Sequence, residues 1–384
     1  MLKEDISGWT LLTLRGVAIR LHISLLFLLF YVALVAMIQF PVVIQLSKAN
    51  INDVSGTPFI WAVIFSLALV LSIFIHEFGH VLMAQAKGLK VRAITLMMLG
   101  GASQIEEIPE EPSIEFKVAI IGPLVSLGIA ATLFGIRELS NSANIDFFCY
   151  WVGQTNLALG IFNLLPAFPM DGGRVLRAFL VTKQGYLLGT WTAVKVSQVF
   201  VWIFGVIGFL QFNFLLMLIA FFLYAAAKSE YFVVMSQALL KGLRARDLMI
   251  SLPSISENTT ISEAVFQMAH SKTLLLPVIR EAGQPSLITA NLLKQIPKKT
   301  WDTMRIKDIS VELLKVIHPD DPIEDIMILT LKTIMGGVPV VQDNQLVGVV
   351  RASDILDAIA LRQLTEEESI LKPWSLRIRH AHSR

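Results

Sequence analysis

The chain has 384 residues, 54% of them hydrophobic and only 16% charged, with a formal net charge of +2. Such a balance departs from the soluble globular average toward an integral membrane protein, and without an extended basic patch it leaves no footing for nucleic acid. One cysteine, Cys149, excludes an intrachain disulfide framework and a cysteine-rich zinc site.

Residues 1–22 lack the apolar core and small-residue cleavage site of a signal peptide, so the first apolar run itself must drive insertion. Apolar runs follow at about 22–46, 61–86, 116–136, 148–166, 190–211 and 213–228, each close to the length that crosses a bilayer as a helix. Only "LQFNF" separates the last two, which predicts a tight helical hairpin. Lys3, Arg15 and Arg20 precede the first run; Lys87, Lys90, Arg92 and Lys117 follow the second; Arg174, Arg177, Lys183 and Lys195 follow the fourth. The opposite loops carry only Lys48 and Arg137, so the charge bias places both termini in the cytosol; if the host is a prokaryote, the membrane is the cell membrane.

The second run contains "FIHEFGH", residues 74–80. On a helix His76 and His80 share a face and can present two imidazoles to one metal ion, while Glu77 on the next face can reach a metal-bound water as general base. Ionisable residues inside an apolar span are costly and point to function. Two histidines leave a catalytic zinc one protein ligand short. "NLLPAFPMDGGR" (163–174) supplies it: Pro166 and Pro169 break the helix, Gly172 and Gly173 let the chain turn, and Asp171 is presented at the cytosolic end of the fourth run. Both the second and the fourth run point inward, so Asp171 and the histidines lie at a similar depth.

Between these motifs, "ITLMMLGGASQI" (94–105) is short, β-prone and bent at Gly100 and Gly101. A strand edge there could hold an unwound substrate by backbone pairing, and a surface hairpin fits the same pattern. His22 reads as an interfacial side chain rather than a ligand, and Cys149 as packing.

From about residue 241 the composition turns charged and proline-punctuated. "RARDLM" with "TISEAVFQMAHSKTLLLPVI" is echoed by "MRIKDIS" with "DPIEDIMILTLKTIMGGVPVV", pairing Asp247 with Asp308 and Pro277 with Pro339. A repeat that long implies a tandem domain pair, 241–300 and 301–362, ahead of a polar tail at 363–384.

HEFGH in one span and NLLPAFPMDGG after another resemble the site-2 protease family of intramembrane zinc metalloproteases. The likeness extends over about residues 8–235 and includes the Gly-Pro helix in "EFKVAIIGPLVSLGIA". It implies one zinc per chain held by His76, His80 and Asp171, and Glu77 as the catalytic base or acid. It further implies Asn163 as a polar contact to the scissile peptide or its oxyanion, although an amide there can equally bond a neighbouring helix. The implied partners are the lipid bilayer and a single-span membrane protein, cleaved within or near the cytosolic edge of its transmembrane segment. The repeat resembles tandem cystathionine-beta-synthase-type (CBS) domains, which implies adenine nucleotide as a ligand and a surface for homodimerisation. Each ribose half-site is incomplete: Asp354 is present with Arg351 at the hydroxyl position, and Thr289 is present with Leu292 at the acid position.

The expected fold is thus a polytopic α-helical membrane protein of about six spans (residues 1–240) with a cytosolic α/β CBS-type pair. A metal transporter or channel with the same tail is the rival reading. It would need ligands but no non-ligating base, and Glu77 is such a base.

Overall fold

The computed structural model describes residues 8–47, 53–98, 100–105, 111–280, 286–309, 311–312, 316–332, 337–343 and 345–365. Lys3, Lys48 and most of the polar tail lie outside these. The chain divides into two compact units, the first ending at Phe232.

The first unit opens with a hairpin of β1 (Gly8–Leu14) and β2 (Val17–His22). Its tight turn places Arg15 and Gly16 at φ 49 and 80, a left-handed pair that suits glycine. Hydropathy alone gives no sign of this hairpin ahead of the first apolar run. Helix α1 (Ser24–Ser47) and helix α2 (Pro58–Ala86) follow, then β3 (Val91–Met97) and β4 (Gly100–Ile105). The four strands form one sheet in the order β1-β2-β3-β4, with β2 and β3 parallel and the other pairs antiparallel. The α1–α2 hairpin is the crossover that makes β2 and β3 parallel. β4 is therefore an edge strand, as is β1, whose Trp9, Leu11, Leu12 and Leu14 are exposed.

Helix boundaries follow local chemistry. Thr57 caps α2 by accepting from the Ile60 amide, Pro58 takes the first turn, and Gly88 at φ 78 follows its end. Next come α3 (Pro112–Leu139), α4 (Ala143–Asn163), α5 (Asp171–Gln184), α6 (Tyr186–Leu210) and α7 (Phe214–Leu240). The α6–α7 hairpin forms as expected, its turn closed by Asn213 Oδ1 accepting from the Leu216 amide.

Five of these helices, α1, α2, α3, α6 and α7, are long and apolar enough to cross a membrane. The fourth expected span is the helix α4, but it falls outside that set because it carries Asp146, Gln154, Asn156 and Asn163. One of these, Asn156, is turned onto protein: it is fully buried and donates to Ser72 Oγ of α2. At the other end, Phe147 packs edge-on against Phe40 of α1 and Trp61 of α2, with ring centroids 5.4 and 4.9 Å away.

The second unit is α/β. The elements α8 (Ala245–Leu248), β5 (Ile255–Ser256), α9 (Ile261–His270), β6 (Leu275–Ile279), β7 (Ser286–Thr289), α10 (Ala290–Leu293) and β8 (Val311–Glu312) come first. Then follow α11 (Ile323–Lys332), β9 (Gly337–Gln342), β10 (Gln345–Arg351) and a helix over 352–365. One sheet runs β5-β6-β7-β8 and the other is the β9–β10 hairpin. The expected division at residue 300 cuts through the first sheet, since Leu287 of β7 pairs with Val311 of β8, and Ile250 bridges to Val349. The repeated aspartates do the same job in each half: Asp247 accepts from the Arg244 amide and Asp308 from the Arg305 amide, each capping a short helix.

Phe147 has no exposed surface, and its loss would leave a cavity between three helices. Phe147→Ala is expected to lower stability by about 3–5 kcal/mol, read as an earlier midpoint when the protein is unfolded thermally in detergent.

Candidate metal centre

His76 and His80 stand one turn apart on the buried face of α2. In such a buried position each Nδ1 calls for a protein partner. α3 supplies both: His80 Nδ1 donates to the Val118 carbonyl at 2.6 Å, and His76 Nδ1 is hydrogen-bonded to Ser126 Oγ at 2.9 Å. A carbonyl only accepts, so the His80 proton sits on Nδ1 and the lone pair of Nε2 is free for a metal.

Between these two anchors lies Gly122. A Cβ there would fall 2.2 Å from His80 Nε2 and 2.8 Å from His76 Nε2. Val118, Gly122 and Ser126 thus make one row on α3, at intervals of four residues, shaped to the two imidazoles.

The third group arrives from the break after α4. The loop over 164–170 folds back on the start of α5, and both glycines are needed for it. A Cβ at Gly172 would lie 2.3 Å from the Leu164 and Leu165 carbonyl oxygens, and one at Gly173 2.7 Å from the Phe168 amide nitrogen. This close turn brings Asp171 Oδ2 to 3.2 Å from Nε2 of both His76 and His80, which are themselves 3.3 Å apart. Ligands at zinc–nitrogen and zinc–oxygen distances around a tetrahedral ion stand ~3.3 Å from one another. The three atoms therefore fit one zinc with a position left open. Among the described residues this is the one group of three or more His, Cys, Asp or Glu side chains close enough to share an ion.

Glu77 points to the other side of the cluster, toward β4. Ser103 Oγ donates to its Oε2 at 2.8 Å. Gly101 has no room for a side chain, since a Cβ would lie 2.3 Å from Glu77 Cγ, and Gly100 occupies φ 116, where other residues are strained. The two glycines quoted from the sequence thus bring the edge strand against the glutamate. Asn163 is not drawn in: its Nδ2 donates to the Leu159 carbonyl one turn back on α4. His22 caps α1 through Ser24 and takes no part.

Known proteins similar to this chain identify its family. The profile of peptidase family M50 matches residues 64–142 and 135–207, and that of the CBS domain matches 306–361. A zinc metalloprotease of Methanocaldococcus jannaschii is 34% identical over 360 residues, covering 93% of this chain and 97% of that one. The chain belongs to peptidase family M50, the site-2 proteases. Stage IV sporulation protein FB of Bacillus subtilis is 32% identical over 121 residues, 31% of this chain and 40% of that one. A solved site-2 protease from Methanocaldococcus jannaschii is 33% identical, with TM-score 0.41, covering 58% of this chain and 95% of that structure. As an M50 member the chain is an integral membrane protein with a C-terminal CBS domain.

Three contributors to the M50 site escaped the sequence reading. Ser103, Ser126 and the Val118 carbonyl act through position rather than residue type. The spacing of 118, 122 and 126 on a Gly-Pro helix was the available signal for two of them.

In the C-terminal unit the two nucleotide-site candidates are occupied from within. Thr289 Oγ1 accepts from the Leu292 amide and caps α10, while Leu292 packs on the apolar core. Asp354 accepts from the Arg351 amide at 3.1 Å and from its guanidinium, whose Nη2 lies 2.6 Å from Oδ1.

Gly122→Ala is expected to strip the site of zinc, because the added methyl group takes the space of the imidazole nitrogens. Metal analysis of the purified variant against wild type checks this, and equal zinc content would exclude the packing described.

Proposed function

We propose that this M50 chain is an active intramembrane zinc endopeptidase. It hydrolyses a peptide bond within, or at the cytosolic edge of, the transmembrane segment of a single-span membrane protein. The observation that carries this reading is the convergence of His76 Nε2, His80 Nε2 and Asp171 Oδ2 within 3.2–3.3 Å of one another, with Glu77 beside them and outside the ligand set. A zinc ion bound there would polarise the scissile carbonyl and acidify a water molecule. Glu77 takes the proton from the attacking water and returns it to the leaving amine. Ser103 donates to Oε2 of Glu77 and so orients the carboxylate.

The substrate must be unwound before its amide is accessible, and β4 is suited to hold it. That strand is paired only to β3 among the described residues, so its outer backbone groups are free to pair with an extended segment. Asn163 would join in only by leaving the Leu159 carbonyl. The charge bias of the loops supports cytosolic termini and a site near the cytosolic side. In this reading the CBS-type unit regulates and can serve dimerisation. An adenine nucleotide would have to displace Arg351 from Asp354 before Asp354 could meet a ribose. The transporter reading is disfavoured, because a carboxylate held by Ser103 next to the ligands adds nothing to metal passage.

Glu77→Gln keeps the side chain's shape but removes its basicity, so cleavage of a membrane substrate should fall ~10²–10⁴-fold while zinc remains bound. Asp171→Ala should instead lose the zinc itself. A Glu77→Gln enzyme that cleaves at the wild-type rate would refute the mechanism. For the tail, Arg351→Ser is expected to raise calorimetric affinity for AMP by freeing Asp354. Identical heats from both proteins would remove Asp354 as a ribose contact.

A further inference from the structure

One buried charge cluster takes no part in the chemistry above. Arg177, on α5, is 4% exposed. A guanidinium so placed is strongly disfavoured unless it is paired on every side. Its Nε donates to Glu115 Oε1 at 2.7 Å and its Nη2 bonds the same oxygen, while Nη1 bonds Glu230 Oε1. The rings of Phe168 and Tyr186 lie 5.2 and 5.7 Å from its central carbon. Burial works against the charge, but the two carboxylates outweigh it and raise the guanidinium's pKa.

What these partners belong to gives the cluster its meaning. Glu115 lies on α3, three residues before Val118, and on the same buried stripe that carries Gly122 and Ser126. That stripe holds both imidazoles. Phe168 belongs to the loop that delivers Asp171, and its amide donates to Ser197 Oγ of α6 at 2.9 Å. Glu230 lies on α7. Arg177 therefore joins the helix that begins with the third ligand to the helix that orients the other two, and to α7.

We infer that Arg177 is a positioning residue: through Glu115 and Glu230 it fixes α5 against α3 and α7, and so sets where Asp171 stands relative to His76 and His80. The inference rests on the reading that these three residues hold one metal ion. Arg suits the task because its planar fork bonds two carboxylates at once in fixed directions, which a lysine cannot do.

The test uses the full chain in detergent, loaded with zinc for affinity by chelator competition and with Co²⁺ for its visible spectrum. That spectrum reports ligand geometry rather than stability. Arg177→Met and Glu115→Gln are expected to weaken zinc binding ~10–100-fold and to change the position or intensity of the Co²⁺ bands. Glu230→Gln, at a side chain one-third exposed, should give a smaller change in the same direction. Phe147→Ala serves as the control for destabilisation alone and should leave the spectrum unaltered. Where Arg177→Met does not fold, the two amide variants carry the result. Amide variants with wild-type affinity and spectrum, or a control that shifts the bands as much, would overturn the inference. Absence of saturable metal binding by the wild-type chain would instead overturn the metal reading itself.

Discussion

Two imidazoles inside an apolar bundle create a demand that governs the first unit: each ring has a second nitrogen, buried and in need of a partner. α3 meets that demand only by lying almost against α2. The Val118 carbonyl and Ser126 hydroxyl must reach the rings, and the residue between them can carry no side chain. The close approach of α3 then dictates much else. The Gly-Pro sequence at its centre, the small residues on its buried face and the ion pair at its start all serve one separation. A wider gap would leave two buried N–H or N: groups without partners, each costing about 1–3 kcal/mol.

The same logic extends to Asp171, the third group of the candidate metal centre. An aspartate cannot be offered from a continuous span without turning its helix toward the histidines, so the chain breaks after α4 and restarts at α5. The loop between is compressed so tightly that Gly172 and Gly173 run against its carbonyl and amide groups. Here rigidity comes from backbone contact, and charge pairing at Arg177 secures the result from the opposite side.

How much of this could be read from the sequence depended on whether chemistry or position selects the residue. His76, His80 and Asp171 were legible as a group that could share an ion, because few other residue types offer a metal such ligand atoms, and the fold does bring the three together. Gly100 and Gly101 were legible as a bend, but not as the clearance for Glu77 that the fold makes of Gly101. Ser103 and Ser126 were silent, since a serine in an apolar helix or short strand carries no signature of its partner. The spans were legible from hydropathy, the fourth included, although α4 carries more polar residues than its neighbours and buries one of them, Asn156, against Ser72 of α2. In the C-terminal unit the repeat was plain, and Asp247 and Asp308 explain it as matching helix caps. The interlocking of the two halves through β8 and Ile250 was not legible, because strand exchange leaves no mark on local pattern.

The outermost strand of the N-terminal sheet has a practical side. β1 carries leucines and a tryptophan outward on both faces, and one row of its backbone groups faces away from β2. Edges of that kind invite pairing with another chain. Once the protein is lifted from lipid, this seven-residue strand, rather than the long apolar helices that detergent readily coats, is where aggregation will begin. A charged residue in place of Leu11 would guard it during purification at no cost to the buried site.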